Sequence, residues 1–129
     1  MKKINNEHGF TLIELVMVIA VIGILSASAI PIFQDLADDA NKAARDGTIG
    51  AVRSGIVVVY SQAIADPAMA DTFVGALDAQ ANGPCVAGCF TNVLSYPVTD
   101  STWGKNNLVY THIPTGTNVT YNPATGSFR

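Results

Sequence analysis

The first third of the chain contains one long apolar run with a single acidic residue at its head. No charged residue lies between Glu14 and Asp35. The run LVMVIAVIGILSASAIPIFQ is long enough to cross a bilayer, which takes about 20 residues at a helical rise of about 1.5 Å each. A carboxylate inside such a segment costs about 2.5–3.5 kcal/mol at the membrane centre and less near its edge. Glu14 therefore indicates a function beyond plain anchoring.

Beyond Phe33 the pattern becomes amphipathic, and we expect one helix over residues 10–62. Its bulky residues recur every three or four positions and should bury against the C-terminal part: Ile49, Val52, Ile56 and Val59. A second stripe of small side chains suits close helix–helix approach or simply fills an exposed face: Ala40, Ala43, Gly47, Gly50 and Ser54. Gly23 and Pro31 interrupt the helical preference, so Pro31 predicts either a local loosening or a bend at the membrane edge.

The C-terminal part alternates short apolar runs with turn residues. Strands are expected over Phe90–Tyr96, Asn107–Ile113 and Thr117–Tyr121. Before them the pattern predicts a short helix over residues 67–81, with Asp71 or Thr72 as its N-cap, and then a turn at Asn82-Gly83-Pro84. These elements predict an α+β fold, in which a long N-terminal helix packs on a small antiparallel sheet of three or four strands.

Composition and charge exclude several function classes. Charged residues make up 13% of the chain and the net charge is −3, so no specific nucleic-acid partner is expected. His112 is the only histidine after residue 8 and has no fixed acid partner, so we expect it to be a surface or half-buried strand residue. With no catalytic triad, no calcium-loop spacing and too few metal ligands, we predict no enzyme, no cofactor and no metal. Four aromatic residues of the C-terminal part are expected to pack in the sheet, with an exposed adhesive patch as the alternative: Tyr96, Trp103, Tyr110 and Tyr121.

Cys85 and Cys89 frame the short motif Cys-Val-Ala-Gly-Cys. A disulfide is favoured if this part of the chain faces the periplasm or the cell exterior, and Gly88 would help the tight loop to close. So small a loop should stabilise the fold by only about 2 kcal/mol. The spacing is one residue longer than the Cys-x-x-Cys of redox catalysts, which argues against a redox site.

The N-terminus resembles the signature of type IV prepilins and pseudopilins. The residues that carry the resemblance are Lys2 and Lys3 as a basic leader, Gly9, the segment Phe10-Thr11-Leu12-Ile13-Glu14 and Pro31. The resemblance covers roughly residues 1–35. It implies that a prepilin peptidase cuts after Gly9 and that the new N-terminal amine of Phe10 is methylated.

The resemblance also implies how the protein assembles. The mature subunit would wait in the inner membrane and then join a helical filament of identical subunits through a pilus assembly platform. In the filament, Glu14 would pair with the Phe10 amine of a neighbour, while Pro31 would let the helix loosen. Opposite charges attract more strongly in a low-dielectric core than in water, and a buried charge left alone is costly, so this pair would check the register of assembly.

On this basis the chain divides into a leader (1–9), a membrane-spanning and filament-core half of the helix (10–33), its amphipathic half (34–62) and a globular head (63–129). The first functional hypothesis is the major pilin of a bacterial type IV surface pilus, with adhesion and motility as compatible roles. The second is a pseudopilin of a type II secretion or competence system. The third is an ordinary secretory signal cleaved after Ala29, which would release a soluble protein that begins at Ile30.

Overall fold

The computed structural model describes residues 9–66, 68 and 72–129. Helix α1 spans Leu12–Ala65 and includes Pro31, so the predicted long helix is confirmed to within a few residues at each end. The basic leader residues Lys2 and Lys3 and the predicted N-cap Asp71 lie outside the described residues.

The chain divides into two compact units, Met1–Asp38 and Asp39–Arg129, called the N-terminal unit and the head unit below. In the described part of the N-terminal unit, every helical side chain is exposed except that of Ala29, which is half buried. The exposed side chains include large apolar ones such as Ile19 and Phe33. By length and composition, a stretch of α1 near its N-terminus is long and apolar enough to cross a membrane.

The head unit contains a five-stranded antiparallel sheet in which each strand pairs with the next along the chain. The strands are β1 (Gly83–Pro84), β2 (Trp103–Asn106), β3 (Val109–His112), β4 (Thr117–Asn122) and β5 (Ser127–Phe128). In the register, Trp103 lies opposite His112, and Tyr110 lies opposite Val119. All four residues are buried, so one face of the sheet belongs to the core. The predicted α+β architecture is confirmed.

The second half of α1 covers this core. Val52 and Ile56 are buried in it, and Ile49 packs against it while half buried. Val59, the last member of the predicted bulky stripe, is half buried as well. The stripe therefore faces the core as expected, because residues three or four apart share one side of a helix.

Aromatic rings fill the centre of the head unit around Phe90. The ring centroid of Phe90 lies 5.7 Å from Trp103, 4.6 Å from Tyr110 and 5.7 Å from Phe128. The Trp103 and Phe128 contacts are edge-to-face, an arrangement that aromatic quadrupoles favour. One loop residue thus joins three strands.

Two arginines attach the helix to the sheet at separate points. Arg45 Nη1 donates a hydrogen bond to Thr117 Oγ1 at 3.0 Å, at the beginning of β4. Arg53 Nε donates to the backbone carbonyl of Phe128 at 2.8 Å, at the end of β5. The beginning of β4 and the end of β5, which together form the open end of the last hairpin, are therefore fixed to α1 by charge-assisted hydrogen bonds.

Three local predictions are wrong. Residues Phe90–Tyr96 form turns instead of a strand, and Phe90 has a φ of 66°, a left-handed conformation that does not fit a ladder. The segment Gly83–Pro84, predicted as part of a turn, pairs with β2 as a short strand. Residues 72–81 contain no helix in the described part of the chain, and Asp78 is held in this irregular segment by hydrogen bonds from Phe90 and Tyr110.

Two side chains lie differently from their predicted places. His112 is only 3% exposed, because it shares the inner face of β3 with Tyr110, two residues away. Tyr96 is 91% exposed and does not pack in the sheet, because its segment is a loop. Trp103, Tyr110 and Tyr121 are buried as predicted.

Gly55 is the point of closest approach between α1 and the loop that follows the disulfide. A Cβ built at Gly55 would collide with the backbone carbonyl of Val93, whereas one built at Gly50 would meet nothing within 4 Å. We expect Gly55→Ala to destabilise the head by about 1–3 kcal/mol through overpacking. The control Gly50→Ala should instead gain up to about 1 kcal/mol from helix propensity.

Urea unfolding of the detergent-solubilised full chain, followed by the fluorescence of Trp103, the single tryptophan, measures both changes. Equal stability of the two variants would contradict the close approach of the loop to α1.

Candidate functional site at the head of helix α1

The helix begins with three reciprocal hydrogen bonds between Thr11 and Glu14. Glu14 Oε2 accepts from the Thr11 backbone N–H and from the Thr11 hydroxyl, each at 2.8 Å. In return, the Glu14 N–H donates to Thr11 Oγ1 at 3.3 Å. This is a capping box, in which an N-cap threonine and a glutamate three residues later satisfy each other's orphan donors. The carboxylate is therefore held close to its own backbone at the helix N-terminus, where the macrodipole also favours a negative charge.

The predicted processing residues lie next to this box. Gly9 and Phe10 precede the helix and are exposed, and the Phe10 side chain is 93% exposed. Within the described residues, the hydrogen bonds to the Glu14 side chain all fall on Oε2, so Oε1 is left for a donor from outside. Pro31 lies farther along the same helix and is not brought to this site.

The Thr-x-x-Glu spacing is a readable capping signal, and the sequence analysis did not use it. It changes the meaning of Glu14, because part of the cost of an acidic group in an apolar segment is already offset within the chain. The signal alone does not separate a cap from an assembly contact. Variants that keep the charge of Glu14 but lose its hydrogen bond from the Thr11 hydroxyl, and variants that do the reverse, would distinguish the two roles.

The two cysteines are joined in a disulfide, with a Cα–Cα distance of 5.2 Å. Gly88 within the loop has a φ of 110°, which explains the need for glycine there. Both cysteines are 0% exposed. The disulfide lies beside Phe90 and closes the loop that precedes the turns at residues 90–96.

We expect this disulfide to resist reduction in the folded protein, because an attacking thiolate cannot reach either sulfur. Dithiothreitol followed by iodoacetamide should alkylate the cysteines only after denaturant is added, and mass spectrometry of the full chain would show it. Rapid alkylation of the native protein would contradict the buried location. Replacing both cysteines by alanine should cost about 2 kcal/mol.

A buried charge cluster in the head unit was not found from the sequence. Asp78 is 2% exposed, and its carboxylate pairs with the Lys105 ammonium. It also accepts hydrogen bonds from the N–H groups of Gln80 and Phe90, at 3.1 and 3.0 Å, and from the Tyr110 hydroxyl at 3.0 Å. Lys105 Nζ further donates to the Gln80 carbonyl at 2.8 Å. The cluster fixes the irregular segment after α1 to β2 and β3.

Burial first, and then the charge of Asp78, raises the pKa of Tyr110 above its usual range. Folding therefore favours the neutral phenol. The associated stability is present below the unfolded pKa of about 10 and is lost as the pH rises through the folded value. The arrangement is structural in character, since all its polar groups are turned toward one another.

Among the described residues, no group of three or more His, Cys, Asp or Glu side chains could hold a metal ion. Two of the polar groups that the fold brings together are the capping box of α1 and the Asp78 cluster. The first lies on an exposed apolar helix, and the second lies inside the head unit.

Comparison with known proteins adds independent information on the first site. A family model described as the prokaryotic N-terminal methylation motif matches residues 4–30, which include Gly9, Phe10 and Glu14. The matched region defines the class: the chain carries the N-terminal methylation motif.

Several curated relatives carry pilus-related names. The type IV narrow pilus major component PilA5 of Thermus thermophilus is 51% identical over 65 residues, which are 50% of this chain and 56% of that protein. The type IV major alpha-pilin of Moraxella bovis is 42% identical over 52 residues, or 40% of this chain and 33% of that protein. The fimbrial protein EcpC of Eikenella corrodens is 36% identical over 80 residues, or 62% of this chain and 51% of that protein.

The chain thus spans about half the length of two of these curated relatives and a third of the other. The comparison with solved structures finds no significant match. The motif and the relatives together support the type IV pilin family for this chain, so the resemblance predicted from its N-terminus is confirmed.

Proposed function

We propose that the chain is a structural subunit of a bacterial type IV pilus, and specifically a major pilin that polymerises through helix α1. The observation that carries the proposal is the head of this helix, where the segment from Phe10 to Glu14 and the methylation motif coincide with the beginning of an exposed apolar helix. The relatives named as pilus components support the same role. The relatives bear the names of pilus components and not of enzymes, which supports a protein without catalytic activity.

The exposed apolar surface supports assembly on physical grounds. Large apolar side chains from Leu12 to Leu36 are exposed in the isolated chain. Transfer of apolar surface out of water is favourable, so covering these side chains would stabilise the protein. Lipid of the inner membrane would cover them first, and helices of neighbouring subunits would cover them in a filament. The small-residue stripe of the head unit is exposed as well, and Gly47 and Gly50 have open space above them, which leaves room for a close neighbour.

The proposed order of events follows from this site. A prepilin peptidase cleaves after Gly9 and the Phe10 amine becomes methylated. The subunit remains in the inner membrane until the assembly platform adds it to the filament. The Phe10 amine of one subunit then pairs with Glu14 of another, through the carboxylate oxygen that the capping box leaves available. The finished pilus lies on the cell surface.

Sheared surface material from cells that produce the protein tests the proposal. We expect long fibres in electron micrographs, and a subunit mass that begins at a monomethylated Phe10 and lacks two hydrogens at the cysteines. A short periplasmic assembly would favour the pseudopilin alternative. A soluble protein beginning at Ile30 would contradict both assignments; the continuous helix through Ala27–Ile30 supports the expectation that no cut occurs there.

A further inference from the structure

A line of hydrogen-bonding groups connects a buried histidine of the sheet to an arginine of the helix. His112 Nδ1 lies 2.9 Å from Thr115 Oγ1, and Thr115 Oγ1 lies 3.1 Å from Thr117 Oγ1. Arg45 Nη1 donates to the same Thr117 oxygen at 3.0 Å. The imidazole is buried and packs against the Trp103 ring, with centroids 5.1 Å apart.

The line includes the attachment of the β3–β4 turn to helix α1. Thr115 lies in that turn and Thr117 begins β4. The other attachment, from Arg53 to the Phe128 carbonyl, is at the end of β5. The attachment of the β3–β4 turn to α1 therefore depends on the His112 side chain as well as on the Arg45 guanidinium.

Because the Thr115 hydroxyl donates to Thr117 Oγ1, the His112 Nδ1–H donates to Thr115, which a neutral imidazole protonated on Nδ1 can do. An imidazolium keeps this donor, but it places a second cation on a line of contacts whose other end is the Arg45 guanidinium. Both charged groups would be partly withdrawn from water. Repulsion between like charges is stronger there than in bulk solvent, because the effective dielectric constant is lower. The neutral and charged forms make the same hydrogen bonds, and the burial of the ring on a line of contacts with a second cation favours the neutral form.

Among the described residues, two charged groups act on His112 from the elements around it. Arg45 on α1 opposes protonation, and Asp100 in the segment before β2 favours it. Burial first, and then the Arg45 charge, lowers the pKa of His112 from its usual range, while Asp100 acts in the opposite direction. The Asp46 carboxylate pairs with the Arg45 guanidinium at 2.8 Å. It therefore weakens the effect of the Arg45 charge on the protonation of His112 but does not cancel it.

We propose that His112 is a pH sensor whose protonation loosens the attachment of the β3–β4 turn to helix α1. A histidine that is neutral in the fold and charges more easily when unfolded contributes stability above about pH 6.5, and this contribution is lost as the pH falls through the unfolded and then the folded value. The proposal concerns the head unit alone and stands independently of whether the chain forms filaments.

The single tryptophan provides a direct test, since Trp103 contacts the ring of His112 and an imidazolium quenches indole fluorescence. We expect a pH titration of the full chain in detergent to show quenching with a midpoint below 6.5, and the unfolding temperature to fall by a few degrees between pH 7.5 and pH 5. His112→Gln should abolish the quenching step and flatten the pH dependence of unfolding.

Two further variants keep the test informative if His112→Gln does not fold. Arg45→Gln should raise the quenching midpoint, and Asp100→Asn should lower it, because they remove charges of opposite sign. A midpoint at or above 6.5 in the unmodified protein, or midpoints that these two variants leave unchanged, would overturn the proposal. An unfolding temperature that stays constant between pH 5 and pH 7.5 would overturn it as well.

Discussion

Glu14→Leu should leave the protein in the membrane but reduce filament formation by at least roughly tenfold. The substitution keeps the apolar helix and so keeps insertion, but it removes the charge that would pair with the Phe10 amine of a neighbour. An ion pair broken in a low-dielectric interior costs about 3–5 kcal/mol, and about 1.4 kcal/mol corresponds to a tenfold change in an equilibrium. Counting surface filaments by electron microscopy, with subunit levels in the membrane fraction as the reference, measures the effect.

The capping box makes a matched control possible. Glu14→Gln retains an acceptor for the Thr11 N–H, because glutamine also closes a capping box, but it carries no charge. Thr11→Val removes the hydroxyl that donates to Glu14 and leaves the charge in place. If pairing with a neighbour is the role of Glu14, Glu14→Gln fails to assemble almost as fully as Glu14→Leu, while Thr11→Val still forms filaments.

The opposite outcome would assign Glu14 to the cap of its own helix. Filaments of normal number from Glu14→Gln, together with loss of filaments from Thr11→Val, would contradict a charge pair between subunits. Normal filament assembly by Glu14→Leu would contradict both a role of Glu14 in pairing with a neighbour and a role of its helix cap in assembly.

Asp78→Ala should destabilise the head unit by about 3–5 kcal/mol, the cost of leaving one partner of a buried ion pair without the other. The Lys105 side chain is only 9% exposed, so its ammonium cannot simply turn to water. The Tyr110 hydroxyl and the Phe90 N–H would also lose their acceptor. Urea unfolding of the full chain in detergent, followed by Trp103 fluorescence, measures the loss.

Lys105→Met and the double variant complete a cycle that isolates the pairing energy. The double variant should be more stable than Asp78→Ala, because the orphaned charge is gone. The exposed pair of Asp39 and Lys42, at 3.0 Å, supplies a surface reference: Asp39→Ala should change stability by less than about 1 kcal/mol. Equal effects of Asp78→Ala and Asp39→Ala would show that the buried cluster does not stabilise the fold.

The long helix was predictable because its signals are local and repeated. An apolar run of membrane-spanning length and a stripe with helical spacing both act within a few turns, and both are confirmed in α1. Strands β3 and β4 were predictable for a similar reason, since runs rich in valine, threonine and tyrosine lie between turn residues. The bulky stripe even located the two buried helix residues, Val52 and Ile56.

The elements that were missed depend on distant partners. Strand β2 contains Gly104, Lys105 and Asn106, which have low strand propensity, and it forms because β1 and β3 pair on either side of it. The run Phe90–Tyr96 has good strand propensity, yet Phe90 adopts a left-handed backbone and its ring fills the core. Tertiary packing overrides local preference in both cases.

The candidate site likewise combines features that have local sequence signals with features that depend on distant residues. The position of Glu14 at the head of an apolar helix can be read from the sequence, and so could its cap by Thr11. Asp78 and Lys105 are 27 residues apart, and no local pattern joins them. His112 could be assigned to a strand, but whether its side of the strand faces the core depends on the strand register.

The strand order of the head has a consequence for how the protein matures. Because each strand pairs with the one that follows it, the hairpins can close one after another along the chain, and most contacts within the sheet are short in sequence. Topologies of this kind fold rapidly. If the chain is exported, cleaved and assembled as proposed above, we therefore expect it to reach its folded shape soon after translocation, so that export and cleavage would set the supply of subunits.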